Sequence, residues 1–171
     1  PPSQPVVGKP PSVARAGRVG LPLAIATSGG QAARMEPLAD LDRRALTEGG
    51  HDAAGGHIGL NAHGFVATES RAAADTFWPT YAQAMTQIGR ERGWPPAQRD
   101  QFEAGRRPEG HLLVGTPEEV AEKIVAQHAI FANDRYLLQM DVGGVPHADL
   151  MRSIELLGPE AAPLVRAALA S

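Results

Sequence analysis

Three short apolar runs along the chain each end in a glycine-containing turn and lead into a stretch of helical periodicity: Val6-Val7-Gly8, Leu21 to Gly30, and Tyr136 to Gly144. The run from Leu21 to Thr27 shows no polar alternation, which predicts a strand buried on both faces. His57 to Ala67 predicts another strand, with Ile58, Leu60, Ala62 and Phe65-Val66 as its apolar positions. Between these runs the period changes. Met35, Leu38, Leu41 and Ala45 recur at three and four residues, so 31–48 reads as an amphipathic helix starting regularly near Pro37. A long helix follows a cap at Thr68 or Ser70, with Phe77, Trp78, Tyr81, Met85 and Ile88 on its apolar face, and ends near Gly93. Ser12 is placed as the cap of a helix running to about Val19, closed by Gly20.

The sharpest local signal is Thr116-Pro117-Glu118-Glu119, where threonine at the cap, proline in the first turn and glutamate three residues on make a capping box. Val120, Ile124 and Phe131 continue that helix as a buried stripe. Segment 94–110 reads as an insertion holding a short helix over 96–104 and a solvated basic turn at Arg106-Arg107. Two final helices, 149–157 and 160–169, are separated by Gly158-Pro159. Four strands alternating with helices predict a parallel sheet flanked by helices, in one domain spanning 1–171 behind an extended leader at 1–5. Four such units make either a small open sheet or half of an eight-stranded barrel, whose usual size of roughly 250 residues exceeds this chain. The first unit stands so near the amino terminus that the chain reads as joining a repeating pattern already in progress.

Composition narrows the partners. Sixteen basic against 19 acidic residues leave a net charge of −3, with the arginines scattered among acids, so nucleic acid is not expected. The absence of cysteine removes disulfides, thiolate metal sites and a thiol nucleophile. No apolar stretch reaches the roughly 20 residues of a membrane span, and the first residues lack a signal-peptide pattern, so a cytoplasmic protein is expected.

Candidate chemistry gathers at the strand ends. Gly8, Lys9 and Ser12 offer close backbone approach, a cation and a helix start, the means of holding a phosphate, although Pro10 and Pro11 remove two donors. Thr27, Ser28, Gly29 and Gly30 stand at the carboxyl end of the buried strand, the functional edge of such sheets. Gly143-Gly144 repeats that geometry, and Asp141 is placed to bond a neighbouring loop. His51, His57 and His63 step by six residues with no carboxylate cluster, so no metal site is expected; His63 alone could face a pocket. No catalytic residue is assigned.

Several segments together resemble the luciferase-like flavin-dependent oxidoreductases. They are Ser12 to Leu23, the Gly29-Gly30 turn, Glu48 to Asp52, Asn61 to Ala67, Val114 to Ile124 and Met151 to Gly158. The resemblance runs from about Val6 to Arg166. It implies an α/β fold, a parallel (β/α) half-barrel equivalent to strands five to eight of a TIM-type (β/α)8 barrel. It also implies reduced FMN or the deazaflavin F420 as cofactor, held at Gly8, Lys9, Ser12 and Thr27 to Gly30, and monooxygenation or hydride transfer on a small organic substrate. Strands one to four, with much of the substrate pocket, would be missing. A half-barrel that is inactive until it self-associates or meets an N-terminal half is therefore the competing expectation. A third is an unrelated α/β enzyme using the same turns for another phosphate-bearing ligand.

Overall fold

Val6–Val7 (β1), Leu23–Ala26 (β2), Ile58–Val66 (β3), Leu113–Gly115 (β4) and Arg135–Gln139 (β5) form one parallel sheet. The computed structural model describes residues 6–7, 9–27, 29, 31–54 and 56–170. The order is β1-β2-β3-β4, and β5 pairs with β3 as well, Leu60 opposite Tyr136 and His63 opposite Gln139. The helices are α1 (Pro10–Arg18), α2 (Glu36–Glu48), α3 (Ser70–Arg92), α4 (Arg99–Arg106), α5 (Pro117–Phe131), α6 (His147–Leu156) and α7 (Ala162–Leu169). The alternation expected from the sequence is present.

Five departures have physical reasons. The sheet gains a fifth strand, β4, too short for any period to announce it; the β3 ladder completes it, Phe65 opposite Val114. Lys9, not Ser12, is the extended residue before α1, because the two prolines occupy its first turn. The 31–48 segment opens as a 3₁₀ turn at Ala32–Met35 before α2 begins at Glu36. The last ladder ends at Gln139; beyond it Met140 packs with Leu113 and Leu156, and Val142 joins the cluster of Phe77 and Tyr81. Gly158-Pro159 does not break the chain: a π turn at Leu157–Ala161 joins α6 to α7, its wider ladder tolerating the missing proline donor.

Strand alternation divides the sheet into two faces. Leu23, Ile25, Ile58 and Leu60 pack with Val13 of α1, Ala39 of α2 and Phe131 of α5. Ala62, Val66 and Leu113 continue this face against Val120 and Leu156. The opposite face carries Ala24, Ala26, Gly59, Asn61 and His63, and on β5 it presents Arg135, Leu137 and Gln139 to solvent, Leu137 at 40% exposure. At the carboxyl end of that face Phe65 and Val114 are covered by Phe77 and Tyr81 of α3 and Phe102 of α4.

Helices α1 and α2 cross closely at Gly17, where a Cβ would lie 2.7 Å from that of Ala45 and 2.9 Å from the Asp42 carbonyl oxygen. Beside this crossing Asp42 is 1% exposed, and its Oδ1 has no hydrogen-bond partner among the described residues. Burial raises its pKa from 3.8 to about 6, against a smaller opposing pull from Arg43. A carboxyl raised in the folded state favours folding below its unfolded pKa and loses that contribution as pH rises through the folded value. Asp42→Asn is therefore expected to stabilise the fold at pH 7.5 by on the order of 2 kcal/mol, or roughly 5 °C in Tm. Thermal melts should show the gain shrinking towards zero at pH 4; an equal gain at both pH values would contradict the buried-charge account.

Candidate functional site

The carboxyl ends of β1 and β2 lie side by side, because Val7 pairs with Ile25 in parallel register. Of the residues expected there, Gly8, Ser28 and Gly30 lie outside the described residues. Lys9 is exposed and Ser12 half-buried. The backbone donors of α1 are already taken: Pro10 and Pro11 have none, and the N–H groups of Ser12 and Val13 both donate to the Lys9 carbonyl, at 3.0 and 3.3 Å. This turn can offer an anion the Lys9 ammonium and the Ser12 hydroxyl, but little backbone. Thr27 is 2% exposed; its N–H and its hydroxyl both donate to the Asn61 carbonyl, at 2.8 and 3.1 Å. Thr27 thus fixes the β2 turn against β3 and presents no free hydroxyl. Gly29 is exposed, and a Cβ built on it would meet nothing within 4 Å.

Gly29 opens onto a cleft of about 640 Å³. Gln31 and Arg34 line it on the β2 side, while Tyr81, Trp94 and Phe102 face them from α3, α4 and the segment between. Residues 107–111 close one end. The volume falls in the range of roughly 300–1,000 Å³ usual for small-molecule sites. Ring contacts brace the aromatic wall, Phe102 lying 5.1 Å from Trp78 and 5.4 Å from Tyr81. Tyr81 also meets His63 edge-on at 5.8 Å, which brings the carboxyl end of β3 beside the cleft. Desolvation lowers the His63 pKa, opposed in part by a hydrogen bond with Gln139, so its imidazole is neutral at physiological pH.

Two cations hold the 107–111 end in place. Arg106 donates from Nη2 to the Ser70 carbonyl and hydroxyl, both at 2.7 Å, and from Nε to the Val114 carbonyl at 3.2 Å. Sequence reading takes Arg106 for solvated surface; it is instead a part-buried strut between α3, α4 and β4. Lys123, buried on α5, donates from Nζ to the carbonyls of Arg106 and Leu112, at 2.9 and 2.7 Å. Burial is the main cause lowering its pKa to about 8; Arg106 adds to it, and Glu109 and Glu119 oppose it.

The remaining candidates have structural tasks. Gly143 presses on the Thr80 carbonyl of α3. Asp141 accepts from the N–H groups of Gly144 and Val145, at 3.2 and 3.0 Å, closing the loop its position suggested. His57 pairs with Asp134 between the starts of β3 and β5, and His51 Nε2 meets the Arg18 carbonyl at 3.2 Å. Among the described residues no three acidic or histidine side chains gather as a metal site, and no helix is long and apolar enough to cross a membrane. Trp94 is the cleft residue that periodicity passes over. Its only sequence signal is its place after Gly93, whose φ of +71° ends α3 and turns the next residue back.

A family model described as luciferase-like monooxygenase matches residues 6–134. No curated protein sequence matches the chain. Among solved structures, monooxygenase RslO1 from Streptomyces bottropensis is 21% identical with a TM-score of 0.71, over 92% of this chain and 46% of that one. The oxygenating constituent of 3,6-diketocamphane monooxygenase from Pseudomonas putida, in complex with FMN, is 19% identical with a TM-score of 0.68, over 91% and 46% of the two chains. An F420-dependent secondary alcohol dehydrogenase, in complex with an F420-acetone adduct, is 13% identical with a TM-score of 0.64, over 94% and 47%. The chain spans about half the length of these structures, and at such identities the likeness is one of fold.

Proposed function

This chain belongs to the luciferase-like monooxygenase family, and from that premise we propose that it forms the cofactor-bearing half of an oxidoreductase using reduced FMN or F420. The observation that carries this reading is the cleft at the sheet's carboxyl edge, which opposes Gly29 and Arg34 to an aromatic wall. A flat anionic ring system suits these surfaces: Tyr81, Met85 and Phe102 for its plane, a guanidinium for its charge and an open glycine for close approach. Lys9, Ser12 and Gly29 would hold the phosphate side, with Gly8, Ser28 and Gly30 in the same two turns and Thr27 keeping the second turn in place. The bound cofactor would supply the redox chemistry, either hydride transfer or monooxygenation. The chain's own part is to hold it, exclude water with the aromatic wall and keep neutral His63 at the cleft's edge.

In this reading β1, β2, β3 and β5 take the places of strands five to eight in a (β/α)8 barrel. Support comes from the unevenly finished sheet. One face is closed by helices, while β5 leaves Arg135, Leu137 and Gln139 open where a barrel interior would lie. Strands one to four, in a longer chain or a separate one, would complete that interior and add the rest of the substrate pocket.

The test is titration of the purified chain with FMN and F420, followed by thermal shift and visible absorbance. Either cofactor is expected to raise Tm, and Arg34→Ala to weaken its binding about tenfold, the loss of roughly 1.4 kcal/mol from one charge-assisted contact. Absence of binding both alone and with an N-terminal half-barrel supplied would overturn the cofactor reading. Binding only with the second half would favour the alternative, a half that is inactive by itself.

A further inference from the structure

The far wall of the cleft differs chemically from the side proposed to hold the cofactor. Trp94 lines it at 54% exposure, a large apolar surface to leave in water. It is not on a loose tip. Its backbone N–H donates to the Gly89 carbonyl at 2.9 Å, and three residues on the Ala97 backbone N–H donates to the Thr86 hydroxyl at 3.1 Å, so both ends of the segment are fastened to α3. The Arg92 guanidinium lies 5.2 Å from the Trp94 ring centroid. Along the same wall the amide of Gln101 and the guanidinium of Arg107 have no hydrogen-bond or ion-pair partner among the described residues, and both line the cleft. Arg107 directly follows Arg106, whose own guanidinium is held by Ser70 and Val114, so its backbone is anchored while its head stays free. Glu109 is the acidic group lining this end.

A rigid exposed indole beside unpaired planar donors is a recognition surface for a flat ring bearing a negative charge. We infer that this wall is a second subsite, separate from the cofactor side, for a small aromatic anion such as an arene carboxylate or phenolate. The ring would lie against Trp94 and the charge would meet Arg107 and Gln101. This inference rests on the proposed function only in naming that molecule the substrate; the binding itself stands apart from it.

Isothermal titration of the chain with 2-naphthoate tests the subsite, with the neutral 2-naphthylmethanol as its control. The naphthoate is expected to bind at least tenfold more tightly than the alcohol. Arg107→Gln should weaken the naphthoate about tenfold and leave the alcohol unchanged. Trp94→Leu should weaken both, and Glu109→Gln should tighten the naphthoate a few-fold. Circular dichroism melts establish that each variant is folded, and these exposed positions are not expected to change Tm appreciably. Equal affinity for acid and alcohol, no binding of either, or an Arg107→Gln variant indistinguishable from wild type would overturn the subsite. So would naphthoate displaced stoichiometrically by FMN, which would make the wall part of the cofactor's own site. FMN titrated into the same variants decides the cofactor reading independently, because naphthoate binding as described without FMN binding would leave the subsite intact.

Discussion

Gly143→Ala is expected to destabilise the chain by roughly 3–5 kcal/mol, enough to remove much of the stability of an ordinary domain. The residue has a φ of +81°, and a Cβ there would lie 2.9 Å from the Thr80 carbonyl carbon, closer still to its oxygen, and 3.2 Å from the Ala84 side chain. Backbone strain and a clash with helix backbone therefore act together, and neither α3 nor the loop after β5 can yield without parting Val142 and Val145 from their cluster. Gly144→Ala is the natural control. Its φ is nearly the same, +82°, but a Cβ there meets nothing within 4 Å, so only the strain of about 1 kcal/mol remains. Urea unfolding of both variants separates the two effects. Equal losses would show that contact with α3 is not what requires glycine at 143.

Lys123→Met should be the second most damaging change. It keeps the stem but leaves the Arg106 and Leu112 carbonyls without their donor. An orphaned buried acceptor costs about 1–3 kcal/mol. Relief from burying a cation offsets part of this at neutral pH. The pH dependence distinguishes the two contributions. With a pKa lowered from 10.5 to about 8, Lys123 adds stability that is complete above its unfolded pKa and lost as pH falls through the folded one. The neutral amine still has hydrogens for both carbonyls. The difference between wild type and Lys123→Met should accordingly widen from pH 7 to pH 10, by on the order of 3 kcal/mol. Denaturant melts at the two pH values measure it, and a gap that narrows would contradict the brace as described.

Much of the architecture could be read from the chain because its signals are local. The capping box at Thr116 is formed, with the Glu119 N–H donating to Oγ1 at 3.3 Å and the Thr116 N–H to Glu119 Oε2 at 2.9 Å. Strand β2 stands where an unbroken apolar run puts it, β3 where Ile58, Leu60, Ala62 and Phe65-Val66 mark it, and Phe77 and Tyr81 pack in a core as their helical spacing implied. What escaped depends on partners distant in sequence. Residues 113–115 become a strand only because β3 lies alongside. Arg106 looks like any surface arginine until Ser70 and Val114 supply its acceptors. The donors of α1 point to the limit of motif reasoning: a helix start flanked by lysine and serine suggests an anion site, yet the prolines and the Lys9 carbonyl leave its backbone nothing to give. Trp94 has no periodic companion, so only the fold reveals it as a cleft wall.

The pattern of Arg135, Leu137 and Gln139 along β5 has a meaning for self-association. An uncovered strand with a row of apolar side chains would be a template for indiscriminate pairing and fibre growth. Here a guanidinium and an amide flank the one leucine, so a neighbour that merely stacks hydrophobic surface would strand a charge in a dry interface. A legitimate neighbour must bring an acceptor for Arg135 and an apolar patch for Leu137, in register. On the half-barrel reading proposed above, this row sets the terms on which the rest of a barrel could be admitted.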